Sequence, residues 1–156
     1  MGARRNCERR LSVTVEQRVR LLKALLRLGG IVTVSGFAAI LLPEDWMASS
    51  HAWLGLGEFP RAPIVDYLTR SIAALYGFHG VLLLTVARDP LALRPIVSYV
   101  AFVNVAFGAI MLGIDLYAGM PLWWMLGEGP PIAGLGVVIA WLNSSIPAAP
   151  RQSTHV

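Results

Sequence analysis

Four apolar runs decide what this chain can become: Leu21 to Leu42, Ile64 to Ala87, Pro95 to Leu116, and a weaker one between Leu122 and Leu142. A bilayer core of about 30 Å takes roughly 20 helical residues to cross, and the first three runs reach that length. The fourth is interrupted by Glu128-Gly-Pro-Pro131, so a short helix is expected from near Pro130, where proline suits a first turn. Trp123 and Trp124 would then lie in the outer interface before it. With 56% hydrophobic residues, 14% charged residues and a mean hydropathy of +0.62, the composition belongs to an integral membrane protein. The fold class expected is therefore all-α, a bundle of four transmembrane helices near 14–42, 64–87, 95–116 and 130–143. Residues 1–13 read as a disordered basic tail and 144–156 as a flexible one.

The distribution of charge is more informative than the net +4. Residues 1–27 carry Arg4, Arg5, Arg9, Arg10, Arg18, Arg20, Lys23 and Arg27 against only Glu8 and Glu16. The first connector holds Glu44, Asp45, Glu58 and Asp66 against Arg61 and Arg70. The second holds Arg88 and Arg94 against Asp89, and the third has Asp115 and Glu128 unopposed. Basic and acidic segments alternate, so the positive-inside rule predicts both termini in the cytoplasm and the first and third connectors outside. The basic N-terminus fits anionic lipid headgroups better than nucleic acid. The first apolar run is longer than a signal-peptide core and ends at Pro43-Glu44-Asp45 without a small-residue cleavage site, which predicts a retained helix. Its start is expected at the capping box Thr14-Val-Glu-Gln17, followed by an unbroken helix to Leu42.

Each span also carries two small residues four apart: Ser35 and Ala39, Ala73 and Gly77, Ala109 and Gly113, Gly136 and Ala140. Lipid supplies no hydrophobic force between helices, and close backbone approach at such pairs is one way to hold spans together.

The polar residues inside or beside these spans are the candidates for function. Asp66 and Arg70 stand four apart at the entry to the second helix, on one face. An arginine about two turns into a span is costly unless it is paired. Its candidate partners are Asp66, Asp115 and Glu128, all on the outer side by the charge argument. Asn104, Gly108, Met111 and Asp115 share one face of the third helix at 100° per residue. The favoured reading is a buried cluster of Arg70, Asp115, Glu128, Asp66 and Asn104 in which Arg70 meets Asp115 and fixes helix register. His79, three residues beyond Tyr76, lies deeper in the second helix and is an intramembrane suspect for proton relay or haem ligation. A bis-histidine haem would need a second embedded histidine, but His51 lies in a connector and His155 in the tail. No cofactor is expected.

Gly55-Leu-Gly57-Glu-Phe-Pro60 lacks the strand before and helix after that a phosphate-binding glycine loop needs. It reads instead as an outer connector laid flat on the bilayer and anchored by Trp46, Trp53 and Phe59. His51, Glu58 and Asp66 have no metal-ligand spacing, and no metal is expected. The single cysteine, Cys7, excludes an intrachain disulfide. No serine, threonine or cysteine stands in a nucleophile motif, so no catalytic residue is expected.

Trp46-Met47, His51, Trp53-Leu-Gly-Leu-Gly57, Pro63-Ile-Val-Asp-Tyr-Leu-Thr-Arg70, Ala74-Leu-Tyr-Gly77, His79-Gly80, Gly113-Ile-Asp-Leu-Tyr-Ala-Gly-Met-Pro121, Trp123-Trp124 and Glu128-Gly-Pro130 together resemble a family of small bacterial four-helix integral membrane proteins. The resemblance covers residues 46–130 and implies the four-helix fold but no activity. Leu68-Thr-Arg70 before an Ala-rich helix, with the helix count, is similar to DoxX-like proteins, some of which accompany quinone-linked redox complexes; no functional residue carries over. The expectation is a multi-pass protein of the inner membrane with an accessory or structural role and an outward cap from connectors 43–63 and 116–130. Its partners would be lipid and other membrane chains or further copies of itself, with no nucleic acid. The alternatives are a redox or quinone-associated subunit and an oligomeric small-solute carrier.

Overall fold

A computed structural model of the chain describes residues 2–147, with side chains from residue 14 onward. Every regular element among the described residues is helical: α1 Gly2–Val34, α2 Gly36–Ile40, α3 Glu44–Trp53, α4 Pro63–Val86, α5 Arg94–Ala118, α6 Leu122–Gly127 and α7 Gly129–Ser145. Four stretches are long and apolar enough to cross a membrane: Thr14–Ile40, Pro63–Val86, Arg94–Ala118 and Leu122–Ser145. The all-α class and the four spans expected from the apolar runs are thus present. The chain forms two compact units, Leu26–Ala87 and Met1–Leu25 with Arg88–Val156, so that the boundary falls inside α1.

In the unit Leu26–Ala87, the end of α1 and all of α2 lie along α4, and glycine makes the approach close. A Cβ added to Gly80 would stand 2.7 Å from the Gly30 carbonyl oxygen and 2.8 Å from Val34 Cα, both main-chain atoms that cannot swing aside. Gly36 performs the same service against Ala73 and Tyr76, and Phe37 covers Gly77 and meets Phe78 edge to face at 5.2 Å. Of the small pairs, Ala73 and Gly77 do mark this contact. On the opposing helix Gly36 replaces the expected Ser35 and Ala39, because Ser35 faces outward.

The first span is not unbroken to Leu42. Helix α1 gives way at Ser35, whose Oγ donates to the Val32 carbonyl at 2.6 Å, and Ala38 N then bonds to Ser35 O in a tighter three-residue step. Serine bonding back to its own turn, with Gly36 next to it, is a normal cause of such a break. At its other end α1 is helical from Gly2, so Thr14 and Gln17 lie within the helix rather than capping it, and the basic segment read as disordered continues the helix. Arg20 is paired to Glu16 one turn back.

The connector expected to lie flat contains helix α3. Pro43 precedes it, Glu44 and Asp45 occupy its first turn, and Gly55 with φ 71° follows it. Carboxylates at the N-terminus and a left-handed glycine beyond the C-terminus are ordinary helix bounds.

In the other unit α5 packs along α7. A Cβ on Gly108 would stand 2.5 Å from Gly129 O and 2.6 Å from Ala133 N, and one on Gly136 would stand 2.7 Å from Ala101 O. Gly113, the small residue expected to make this contact, has open space around it. Gly108 lies on the face that also carries the buried Asn104 and Asp115, and that face, not the one holding Ala109 and Gly113, meets α7. Helix α5 closes on Gly119 in the left-handed region, with Met120 N bonded to Asp115 O at 3.0 Å.

The fourth span begins at Leu122, earlier than Pro130, and Trp123 and Trp124 sit on α6. Pro130 and Pro131 lack the N–H groups that would bond to Leu126 and Gly127, so the helix breaks at Glu128 alone and resumes as α7. At its far end α7 runs through Ser145, and Ile146 is buried, so the tail does not begin at 144. Residues 148–156, with the rest of the expected flexible tail and His155, lie outside the described residues.

Candidate functional site

The arginine expected to need a partner finds it locally. Arg70 Nε donates to Asp66 Oδ1 at 2.8 Å and Oδ2 at 2.9 Å, one helical turn back. The rest of the guanidinium turns to the end of the first span, where Nη1 donates to Ile40 O and Nη2 to Leu42 O at 3.3 Å. Those carbonyls have lost their helical donors because Pro43 follows and α3 starts anew. Arg70 therefore closes the end of one helix from the first turns of another. Asp66, at the N-terminus of α4, is favoured there by the helix dipole and holds the fork in place. Within this unit Asp66 and the two carbonyls are the partners of Arg70; Asp115 belongs to the other unit.

The second unit uses the same device at α7. Arg94, first residue of α5, donates from Nη2 to Asn143 O and to Ile146 O, the latter at 2.7 Å. Asn143 answers with Nδ2 to Ser98 Oγ at 2.9 Å. From α1, Arg18 donates to Ser145 O at 2.9 Å while its guanidinium carbon stands 5.9 Å from the Trp141 ring centre. Three orphan carbonyls at the end of α7 are thus bound by two arginines, which also complement the negative end of the helix dipole. None of Arg18, Arg94, Ser98 and Asn143 was singled out in the sequence. The signal available was an asparagine followed by two serines closing an apolar run, with an arginine directly before a helix-starting Pro95.

On α5, Asn104 and Asp115 are 7% and 3% exposed, and Asn104 Nδ2 and Asp115 Oδ2 have no hydrogen-bond partner among the described residues. Their shared face was legible from the 100° spacing. Leaving a buried polar atom unpaired costs about 1–3 kcal/mol, more when it is charged. Asn143 Oδ1 in the same unit is in the same position.

Tyr76 sits at the α2–α4 contact with its Cβ opposite Gly36, and His79 is half-buried just before Gly80. His51 is held in the α3 connector. Its Nδ1 lies 3.0 Å from Gly57 O, which can only accept, so Nδ1 carries the proton, and the ring meets Phe59 edge to face at 5.6 Å. Asp66 is taken up by Arg70, and among the described residues no group of three His, Cys, Asp or Glu side chains could hold a metal ion. Arg61 ties the end of this connector back to its start, 2.9 Å from Asp45 and 3.9 Å from Glu44. Trp46, Trp53 and Trp123 are exposed, Trp123 and Trp124 stack edge to face at 5.5 Å, and Glu128 lines a groove of about 370 Å³ with them and Pro131. No protein-family model, curated protein or solved structure matches this chain.

Proposed function

We propose that this chain is a four-pass protein of a bacterial inner membrane, of accessory or structural rather than catalytic role, with both termini cytoplasmic. The observation that carries this reading is the use made of its arginines: Arg70, Arg94 and Arg18 each donate to main-chain carbonyls at helix ends. Such bonds stabilise spans whose termini meet lipid headgroups. The large apolar side chains of the spans point outward, Leu75, Phe78 and Phe102 being two-thirds or more exposed, as lipid-facing residues are. On the outer side, α3 with its Arg61 ties in one unit, and the tryptophan pair of α6 in the other, would each offer a surface to further membrane chains or copies of this one. The basic face of α1 would lie against anionic headgroups.

A second reading, an oligomeric carrier of a small solute or proton, is favoured by the unpaired Asp115 and Asn104 alone, since buried polar atoms without partners inside a span commonly mark a path. A redox or quinone-associated role has only His79 and Tyr76 to rest on.

Fractionation and topology reporters test the proposal. The chain should resist extraction from membranes by alkaline carbonate, and fusions at Glu58 should report the outer face while fusions in residues 88–93 report the cytoplasm. Carbonate release, or a cytoplasmic signal at Glu58, would overturn it. A stoichiometric quinone or a Soret band in the detergent-purified protein would move the assignment to the redox reading. Uptake dependent on Asp115 would move it to the carrier.

A further inference from the structure

We propose that the groove between α5 and α7 holds one anionic glycerophospholipid, of the phosphatidylglycerol type; this rests on the membrane reading above. The groove, of about 620 Å³, is polar at one end and apolar along the rest. Arg94, Ser98 and Asn143 form the polar end, and Phe102, Val105 and Ala140 line the apolar stretch. The polar end is the end at which α5 begins and α7 stops, so it lies where a headgroup would lie if the helices span a bilayer.

The hydrogen-bond inventory at that end specifies the ligand. Arg94 uses Nη2 for the two α7 carbonyls, leaving Nη1 and Nε outside those bonds. Ser98 Oγ accepts from Asn143 Nδ2, so its own proton is available to donate. A guanidinium edge and a hydroxyl, beside the positive end of the α5 dipole and with no carboxylate among the described lining residues, suit a phosphate. A phosphoglycerol headgroup brings that phosphate with a net negative charge. A choline headgroup brings the same phosphate with a quaternary ammonium, whose positive charge would stand beside the Arg94 guanidinium. The exposed Phe102, with Val105 and Ala140, then gives one acyl chain an apolar track running away from the arginine.

The test is native mass spectrometry of the full chain in detergent, titrated with phosphatidylglycerol or phosphatidylcholine of the same acyl chains. One phosphatidylglycerol should bind at least about tenfold more tightly than phosphatidylcholine, from the difference in net headgroup charge. Ala140→Trp, at an exposed position that touches none of the polar bonds, should abolish that preference by filling the acyl track. Arg94→Gln should reduce it, and because Arg94 also holds α7, Ala140→Trp is the deciding variant. Equal retention of the two lipids, undiminished binding in Ala140→Trp, or displacement of the lipid by millimolar inorganic phosphate would overturn the proposal. A wild-type chain released by alkaline carbonate would defeat the membrane reading. A chain that stays in the membrane but binds both lipids alike defeats the groove alone.

Discussion

Adding one methyl group at two glycines of the same helix should have opposite effects. At Gly108 the new Cβ would meet the Gly129 carbonyl oxygen at 2.5 Å, Ala133 N at 2.6 Å and Ala133 Cβ at 2.9 Å. Two of these are main-chain atoms of α7, so relief requires the helices to separate by most of an ångström rather than one side chain to rotate. Overpacking of this kind costs about 1–3 kcal/mol. Replacing a helical glycine by alanine returns about 1 kcal/mol in backbone entropy, leaving Gly108→Ala destabilised by up to about 2 kcal/mol. That is a shift of up to about thirtyfold in the folded-to-unfolded ratio. Gly113 has nothing within 4 Å, so Gly113→Ala keeps only the entropic gain and should be neutral or stabilised by up to about 1 kcal/mol. The assay is reversible unfolding in mixed dodecylmaltoside and dodecyl sulfate micelles, followed by tryptophan fluorescence and circular dichroism. If the two variants shift alike, or Gly113→Ala is the damaging one, the α5–α7 contact is not where the structure puts it.

Four further outcomes are expected. Arg18→Ala loses a hydrogen bond to Ser145 O and the Trp141 contact and should cost about 1–2 kcal/mol, with a change in tryptophan emission. Asp115→Leu replaces an unpaired buried carboxylate by an apolar group and should leave the unfolding midpoint unchanged or raise it; a clear loss of stability would show that Asp115 has a partner. Gly119→Val forces a branched residue into the left-handed region at φ 67° and should cost at least about 1–2 kcal/mol in the same assay. Arg61→Ala breaks only exposed ion pairs and should shift stability by less than about 1 kcal/mol, any effect shrinking with salt.

What could be read from the sequence was whatever depends on runs and local periods. The four spans follow from apolar length, and the buried face of α5 follows from the spacing of Asn104, Gly108 and Asp115. Helix α3 escaped because its apolar residues are few and the tryptophans in it suggested an anchor rather than an element, although Pro43, Glu44, Asp45 and Gly55 bound it in the usual way. The Arg70 site was half legible: the Asp66 spacing was visible, while the acceptors Ile40 O and Leu42 O are main-chain atoms with no sequence signature. The same holds for Arg94 and Arg18, whose targets lie 49 to 127 residues away. The four-residue pairing of small residues pointed to Ala109 and Gly113 instead, whereas the contact follows Gly108 on the face of Asn104 and Asp115.

The bonds at the end of α7 have a mechanical consequence. Arg94 and Asn143 bind each other's helix in both directions, through Asn143 O and Ser98 Oγ, which stops α5 and α7 from sliding past one another. A bilayer of different thickness cannot then be accommodated by a change of register between them. The compliance left to this pair is the single residue Glu128, where two prolines have already removed the hydrogen bonds that would stiffen the fourth span. In a thin membrane α6 would fold toward the surface and in a thick one it would straighten onto α7, so the span would adjust its length at its outer end while its arginine-bound end stays at constant depth.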